Sequence, residues 1–422
     1  MKKRKRNSAI AAGVIGNIME WYDFALYGYM ASIISGLFFP GENKIASLLA
    51  TYGIFAAGFV MRPLGSAIFG WLGDTVSRSK AMFISVIMMV VPTFALGLLP
   101  TYDAIGLFAP AMLVIVRLAQ GLSVGGEFSS SVTYLVETAP EKHRGLSGSY
   151  ANIGSMGGML LGAGMAALVT NLLPDNQVQA WGWRVPFLLG AVLGVVAIWL
   201  RRHLPRSSHF KEHDHQRGDT SPLKEAFTLN ARETTQALMV ASAYGALFYI
   251  SLVFLPNWLK EYVHFPLGQA MTINTISTAL LLFLIPVMGW LSDRFIRRTH
   301  LVAISMVLFG IGAYPLLIWL SGGSLISVVI VHIIFAILIA VLCGVAPSLF
   351  VELFPTRDRL SGYSVAYNMG LGVVGGATPM LCTWIISVTG NPLTLAGFML
   401  MVALIGLAAL IWMKDRSRVP LR

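Results

Sequence analysis

Apolar runs of about 18 or more residues, nearly free of charge, recur along the whole chain between short polar stretches. As a helix, each run is long enough to cross a hydrocarbon core of about 30 Å. None has the form of the alternating segments of about ten residues that build a membrane β-barrel. The pattern predicts membrane helices over 9–39, 45–72, 81–99, 106–135, 146–171, 183–201, 234–260, 268–291, 300–320, 324–351, 360–388 and 392–413. One long polar stretch, 201–233, divides them six and six. The expected architecture is an all-α membrane protein with twelve transmembrane helices in two six-helix bundles. Residues 1–200 form the first bundle, 201–233 a cytoplasmic linker and 234–422 the second bundle.

Composition agrees. Of 422 residues, 56% are hydrophobic and 12% charged, about half the charge of a soluble chain at roughly 25%. Too little polar surface remains to cover a water-facing protein of this size. The net charge of +11 would suit nucleic acid, but its distribution follows topology. Of 30 Lys and Arg, 25 fall in segments on one side: Lys2 to Arg6, Arg78 and Lys80, Lys142 and Arg144, the linker, Arg294 to Arg298, Arg357 and Arg359, and Lys414 to Arg422. Lys44, Arg184 and Lys260 lie near the other side, while Arg62 and Arg117 lie inside helices. The positive-inside rule then places both termini in the cytoplasm and the chain in the cell's inner membrane, with no nucleic-acid partner. Met1 to Arg6 followed by an apolar stretch resembles a signal peptide. That stretch runs to about Phe39 and contains Glu20 and Asp23, so an uncleaved first helix is expected. Cys343 and Cys382 both fall in apolar runs, which does not indicate a disulfide framework. His209, His213 and His215 in the linker lack a second ligand cluster and read as solvated connector, so no metal is expected.

The two halves repeat. Gly70-Trp-Leu-Gly-Asp74-Thr-Val-Ser-Arg78-Ser-Lys80 follows helix 2, and Gly289-Trp-Leu-Ser-Asp293-Arg294-Phe-Ile-Arg297-Arg298 follows helix 8. Glu137-Thr-Ala-Pro140-Glu-Lys-His-Arg144 follows helix 4, and Glu352-Leu-Phe-Pro355-Thr-Arg-Asp-Arg359 follows helix 10. The two offsets are 219 and 215 residues, in order and on one membrane side. Parallel repeats of this kind belong to rocking-bundle transporters.

These loop motifs resemble the signature of the major facilitator superfamily. Within it the chain is similar to the metabolite:proton symporters, among them carriers of proline/betaine, shikimate, 2-oxoglutarate and citrate. The matching segments are Gly16-Asn17-Ile-Met-Glu20-Trp21-Tyr22-Asp23-Phe24, Arg62-Pro63-Leu-Gly65, Arg117-Leu-Ala-Gln120-Gly121 through Gly125-Gly126-Glu127, and Trp181-Gly-Trp183-Arg184-Val-Pro186-Phe187. At Leu204-Pro205-Arg206-Ser207-Ser208 an arginine stands where family members often have an acid. The wording of helix 1 and of Thr378-Pro379 leans towards the proline/betaine carriers. The end of the chain soon after helix 12, without the long charged heptad tail such carriers can have, leans the other way.

Charges inside the membrane cost about 2.5–3.5 kcal/mol each by insertion scales unless paired or wetted. Glu20 and Asp23 on helix 1, Arg62 on helix 2, and Arg117 with Glu127 on helix 4 therefore mark a shared wet cavity. Three acids against two arginines leave one carboxyl to bind a proton. Asp23, Glu20 and Glu127 are the proton-coupling candidates. Arg62 and Arg117 suit a substrate carboxylate, since a guanidinium is a bidentate fork that stays charged. Gln120, Tyr27 and Asn17 share their faces, and Tyr244, Asn257, Tyr367 and Asn368 are the polar candidates of the second bundle. Static bridges between helices 1, 2 and 4 are the plainer alternative. Asp74, Arg78, Lys80, Glu137 and Arg144 read as a cytoplasmic gate, with Asp293, Arg297, Glu352 and Arg359 as its second copy. Glycine clusters on helices 5 and 11 read as a sliding interface, since no lysine is followed by Ser or Thr as a phosphate loop requires.

The expected function is a proton-coupled symporter importing a small carboxylate-bearing or zwitterionic metabolite by alternating access. Its partners would be that solute, protons and membrane lipids, with no cofactor beyond the proton gradient, and the monomer would be the working unit. A proton-driven exporter, or a membrane receptor or sensor that kept the fold, are the alternatives. No nucleophile–base pair or metal cluster suggests an enzyme.

Overall fold

A computed structural model describes residues 17–72, 78–123, 127–203, 230–356 and 359–421. Helix α1 comprises 17–29 and, after a break at Met30, Ala31–Phe38. Then follow α2 (Lys44–Leu72), α3 (Arg78–Leu98) and α4, in two segments Phe108–Ser123 and Glu127–Glu137. Helix α5 comprises Arg144–Ser149 and Ala151–Leu172, and α6 is Arg184–His203. In the second half, α7 runs from Ala231–Tyr249 through a π turn, Ile250–Phe254, into Leu255–Tyr262. Helices α8 (Leu267–Arg294), α9 (Arg298–Ser321) and α10 (Leu325–Leu353) follow. Helix α11 runs from Arg359–Ala366 through a π segment, Tyr367–Gly375, into Gly376–Thr389, and α12 is Thr394–Trp412. No strand occurs among the described residues. The linker reading at 201–233 falls mostly on 204–229, outside the described residues.

Eight of the described helices are long and apolar enough to cross a membrane. A ninth span arises if the pair Asp175–Gly182 and Arg184–Val196, bent by 44°, counts as one. Prolines sit inside α2, α3 and α8 to α11. Membrane helices tolerate them because neighbouring helices and side-chain hydroxyls satisfy the freed carbonyls. Large apolar side chains such as Phe283, Ile311, Val388 and Ile411 point outward, as a surface solvated by lipid tails requires.

Within the first half α2 packs on α4 and α3 on α6, while in the second α8 packs on α10 and α9 on α12. The halves meet through α5 against α8 and α2 against α11. These two contacts are equivalent under the repeat, since α2 corresponds to α8 and α5 to α11. A close backbone approach between halves is at Gly145 and Gly289, where a Cβ on Gly289 would stand 2.6 Å from the Gly145 carbonyl oxygen. The glycine clusters expected to form a sliding interface divide. Gly158 abuts the Ile18 carbonyl of α1 and Gly370 abuts Ala241 of α7, sealing helix pairs within a half, whereas Gly376 of α11 abuts Phe59 of α2 across the interface.

Candidate functional site

Helix α1 organises the site, because Glu20, Asp23, Phe24 and Tyr27 follow at three- and four-residue spacing and project to one side. Asp23 is 1% exposed, and its Oδ2 lies 3.3 Å from Nη1 of Arg117 on α4. That nitrogen also donates to Gln120 Oε1 at 2.9 Å. Gln120 Nε2 donates to Thr93 Oγ1 of α3 at 3.1 Å, which closes a ring of four side chains. The Thr93 hydroxyl stands 3.0 Å from Asp23 Oδ1 and 2.7 Å from the Met89 carbonyl. One hydroxyl proton serves one acceptor at a time. An ionised Asp23 draws it; a protonated Asp23 donates to Thr93 while the hydroxyl turns to Met89.

A second pair lies beside the first. Arg62 Nη2 is 3.3 Å from Glu20 Oε1, and Arg62 is 2% exposed. The Arg62 guanidinium carbon lies 4.3, 4.7 and 5.6 Å from the ring centres of Phe59, Phe24 and Trp21. That of Arg117 lies 4.6 Å from Phe24 and 4.4 Å from Tyr27. Flat guanidinium faces stack on rings, and such contacts strengthen out of water. From the second half, Tyr249 packs on Phe55 and Phe59 at 5.8 and 5.4 Å. Its hydroxyl, Nε of both arginines and Nη2 of Arg117 have no hydrogen-bond partner among the described residues. The acids and arginines expected to line a wet cavity are thus packed beneath aromatic rings in this conformation. The static-bridge alternative describes the pairing but not the unused nitrogens.

The other sequence candidates divide. Gln120 belongs to the ring, and Tyr27 contributes its ring while its hydroxyl donates to the Thr51 carbonyl. Asn17 binds Ser155 Oγ at 2.9 Å and ties α1 to α5. Tyr244 donates to Cys343 Sγ at 3.1 Å, and Asn368 bonds back to Ser364 one turn earlier, so neither reaches the arginines. Tyr244 and Tyr249 are five residues apart, about 140° around a helix, and apolarity alone cannot say which faces the site. Tyr367 stacks on Phe128 across the halves at 4.6 Å. His332 bonds the Val328 carbonyl of its own helix. The Glu127 side chain lies outside the described residues. Sequence reasoning missed Thr93, Phe59 and the stacking role of Trp21. Apolar and hydroxyl side chains carry no signal in a membrane helix.

Both ends of the interface are closed. At the end bearing the basic loops, Glu137 Oε1 accepts from Arg359 Nη1 at 2.6 Å, and Arg144 Nη1 lies 3.7 Å from Glu352 Oε1. Each acid pairs with the arginine of the other half, a reciprocal exchange that the repeat permits. Asp293 accepts from the backbone N–H of Gly145 and Leu146 at 2.7 and 2.9 Å, capping the first turn of α5 from across the interface. Arg297 corrects the expected gate: it is the exposed N-cap residue of α9, and the buried neighbour Arg298 pairs with Asp293 and Glu352 at 2.9 and 3.2 Å. Asp74 and the side chains of Arg78 and Lys80 lie outside the described residues. At the opposite end Asn257, expected at the substrate, donates to the Gly28 carbonyl at 3.0 Å, and Lys260 Nζ donates to Ser32 Oγ at 3.1 Å. Asn171 of α5 joins the Gly268 carbonyl of α8 at 2.9 Å. Asn257 is therefore a closing contact of that end.

Paired charges buried in the first of two repeated six-helix halves, where Tyr249 of the second packs beside them, are the arrangement of a membrane carrier. Comparison with known proteins agrees. Residues 9–232 match the family described as sugar (and other) transporter, and 237–422 match the Major Facilitator Superfamily. The proline/betaine transporter of Escherichia coli K12 is 33% identical over 99% of this chain and 85% of its own length. The glycine betaine/proline/ectoine/pipecolic acid transporter of Dickeya dadantii is 33% identical over 98% and 84%. Among solved structures, a D-xylose-proton symporter superposes with a TM-score of 0.75 at 17% identity, covering 99% of this chain and 98% of that one. The inward-open xylose transporter of E. coli gives 0.74 at 17%, covering 98% and 96%. The chain belongs to the major facilitator superfamily. It is a multi-pass membrane transporter with the twelve-helix fold of that family, not an enzyme.

Proposed function

We propose that this transporter imports a small carboxylate-bearing or zwitterionic metabolite, of the proline or betaine kind for which its relatives are named, coupled to protons. The observation that carries the reading is the pairing of two buried arginines with two acids of α1, with guanidinium nitrogens to spare. A solute carboxylate arriving between the halves competes with Asp23 and Glu20 for those guanidinium groups. An acid that loses its arginine becomes an isolated charge away from water, costing several kcal/mol, and takes a proton instead. Solute and proton thereby load together and leave together when the pairs re-form. Asp23 suits the proton best, because the Thr93 hydroxyl can donate to the carboxylate or, turned to the Met89 carbonyl, accept from the protonated carboxyl. The basic end faces the cytoplasm together with both termini. Solute enters from outside while Glu137–Arg359 and Arg144–Glu352 hold that end shut. The halves 1–200 and 234–422 rock about the linker 201–233, powered by the proton gradient with no further cofactor, and the monomer is the working unit.

The test is uptake by the purified protein in liposomes with an imposed pH gradient, screened over proline, betaines, di- and tricarboxylates and shikimate. Accumulation of a proline- or betaine-like solute, abolished by a protonophore, is expected. Asp23→Asn is expected to lose accumulation yet keep exchange of labelled for unlabelled solute. Uptake indifferent to the gradient refutes the reading.

A further inference from the structure

The surroundings of Arg62 exceed what pairing with Glu20 requires. Phe59, Phe24 and Trp21 bring three ring centres to within 4.3–5.6 Å of one guanidinium carbon. Tyr249 packs behind Phe59 at 5.4 Å. The four rings are at most 3% exposed. Several ring faces turned on one desolvated cation form the arrangement that recognises alkylated ammonium groups. Arg62 is a poorly suited permanent occupant. A guanidinium carries five N–H donors; Nη2 of Arg62 faces Glu20, but its Nε finds no acceptor among the described residues. Each stranded donor is a desolvation cost. A quaternary ammonium has no N–H to strand.

We propose that Trp21, Phe24 and Phe59 form the ammonium subsite for a zwitterion bearing a quaternary nitrogen, and that Arg62 is its tethered stand-in until solute displaces it. The inference rests on the transport reading above and deepens it. As the solute nitrogen enters the box, the guanidinium swings out, and its freed N–H groups take the solute carboxylate alongside Arg117. Phe24 touches both guanidinium groups, so the box and the carboxylate partners adjoin. A plain carboxylate cannot evict Arg62, and a primary ammonium leaves N–H groups unpaired among rings. Selectivity therefore rises with each N-methyl group.

Two measurements decide it. In wild-type liposomes, glycine, sarcosine, dimethylglycine and trimethylglycine compete with the labelled solute, and affinity should climb along the series by about tenfold or more in total. A flat or falling series overturns the box even where proton-driven uptake stands. Independently of transport, tetramethylammonium binding is measured by calorimetry on the purified protein. Arg62→Gln should tighten it about tenfold, whereas Arg117→Gln, which removes the same charge, should not. Adding Phe59→Leu to Arg62→Gln should abolish the gain, and Phe59→Tyr should keep it. Equal effects of the two arginine variants, or indifference to Phe59, overturn the proposal. Failure of all uptake together with the expected calorimetry would sink the transport reading alone.

Discussion

Replacing Glu137 by glutamine removes the negative charge facing Arg359 across the halves while keeping the shape. The pair is 2.6 Å long, with side chains 18% and 2% exposed respectively. Breaking a fully buried pair costs about 3–5 kcal/mol, and exposed pairs are worth only about 0.2–1 kcal/mol. Glu137 is partly wetted and glutamine still accepts a hydrogen bond, so about 1–2 kcal/mol is expected. That energy is spent only when the basic end is closed, so it shifts the closed–open equilibrium by about 5–30-fold. Ser348 reports the opening, because it is fully buried and its hydroxyl donates to the Arg144 carbonyl between the halves at 2.8 Å. With Cys343 and Cys382 replaced, a Ser348→Cys probe should react with an impermeant maleimide about 5–30-fold faster in Glu137→Gln. Reversing the pair, Glu137→Arg with Arg359→Glu, should restore the slow rate. An unchanged rate, or a reversed pair as reactive as the single variant, would refute the latch.

Thr93→Val should slow proton-driven uptake about tenfold, the worth of one hydrogen bond to a charged group; Thr93→Ser should preserve it, and equal rates for the two would remove Thr93 from proton handling. Gly289→Ala drives a Cβ to 2.6 Å from the Gly145 carbonyl oxygen. It should cost about 1–3 kcal/mol of closure and raise Ser348→Cys labelling, so slow labelling would contradict the close approach. After α12, Asp415 is pushed up by burial, but hydrogen bonds from Ser417 and Thr299 outweigh this and hold its carboxyl below the usual range. A depressed folded value makes its contribution complete above about pH 3.9 and lost as pH falls further. Amide exchange at 415–421, where the Val419 carbonyl accepts from Arg144 at 2.9 Å, should therefore quicken only below about pH 4, or at pH 7 in Asp415→Asn. Quickening between pH 7 and 5 in the unaltered chain would contradict that anchoring.

Much of the fold was legible because hydropathy and length suffice to place membrane helices. The expected 268–291 became α8, Leu267–Arg294, and 324–351 became α10, Leu325–Leu353. Legibility of the site was selective. Glu20, Asp23, Arg62 and Arg117 stood out because a charge in a membrane helix is costly and needs a reason. Phe59, Trp21 and Thr93 did not, since apolar and hydroxyl side chains are ordinary there. Tyr244 and Asn368 were candidates by type alone, and their own helix neighbours or Cys343 engage them.

The sequence by itself determined the number and order of helices, the repeat and the identity of the buried charges, each a local property of composition and spacing. Only tertiary structure decided the partners. Asp23 went to Arg117 and Glu20 to Arg62. The gate acids crossed to the arginines of the opposite half, and Arg298 rather than Arg297 turned inward. The reason is angular. Helices apolar all round, such as α10 and α12, carry no periodic signal of which face meets protein and which meets lipid, so facing is settled by packing alone.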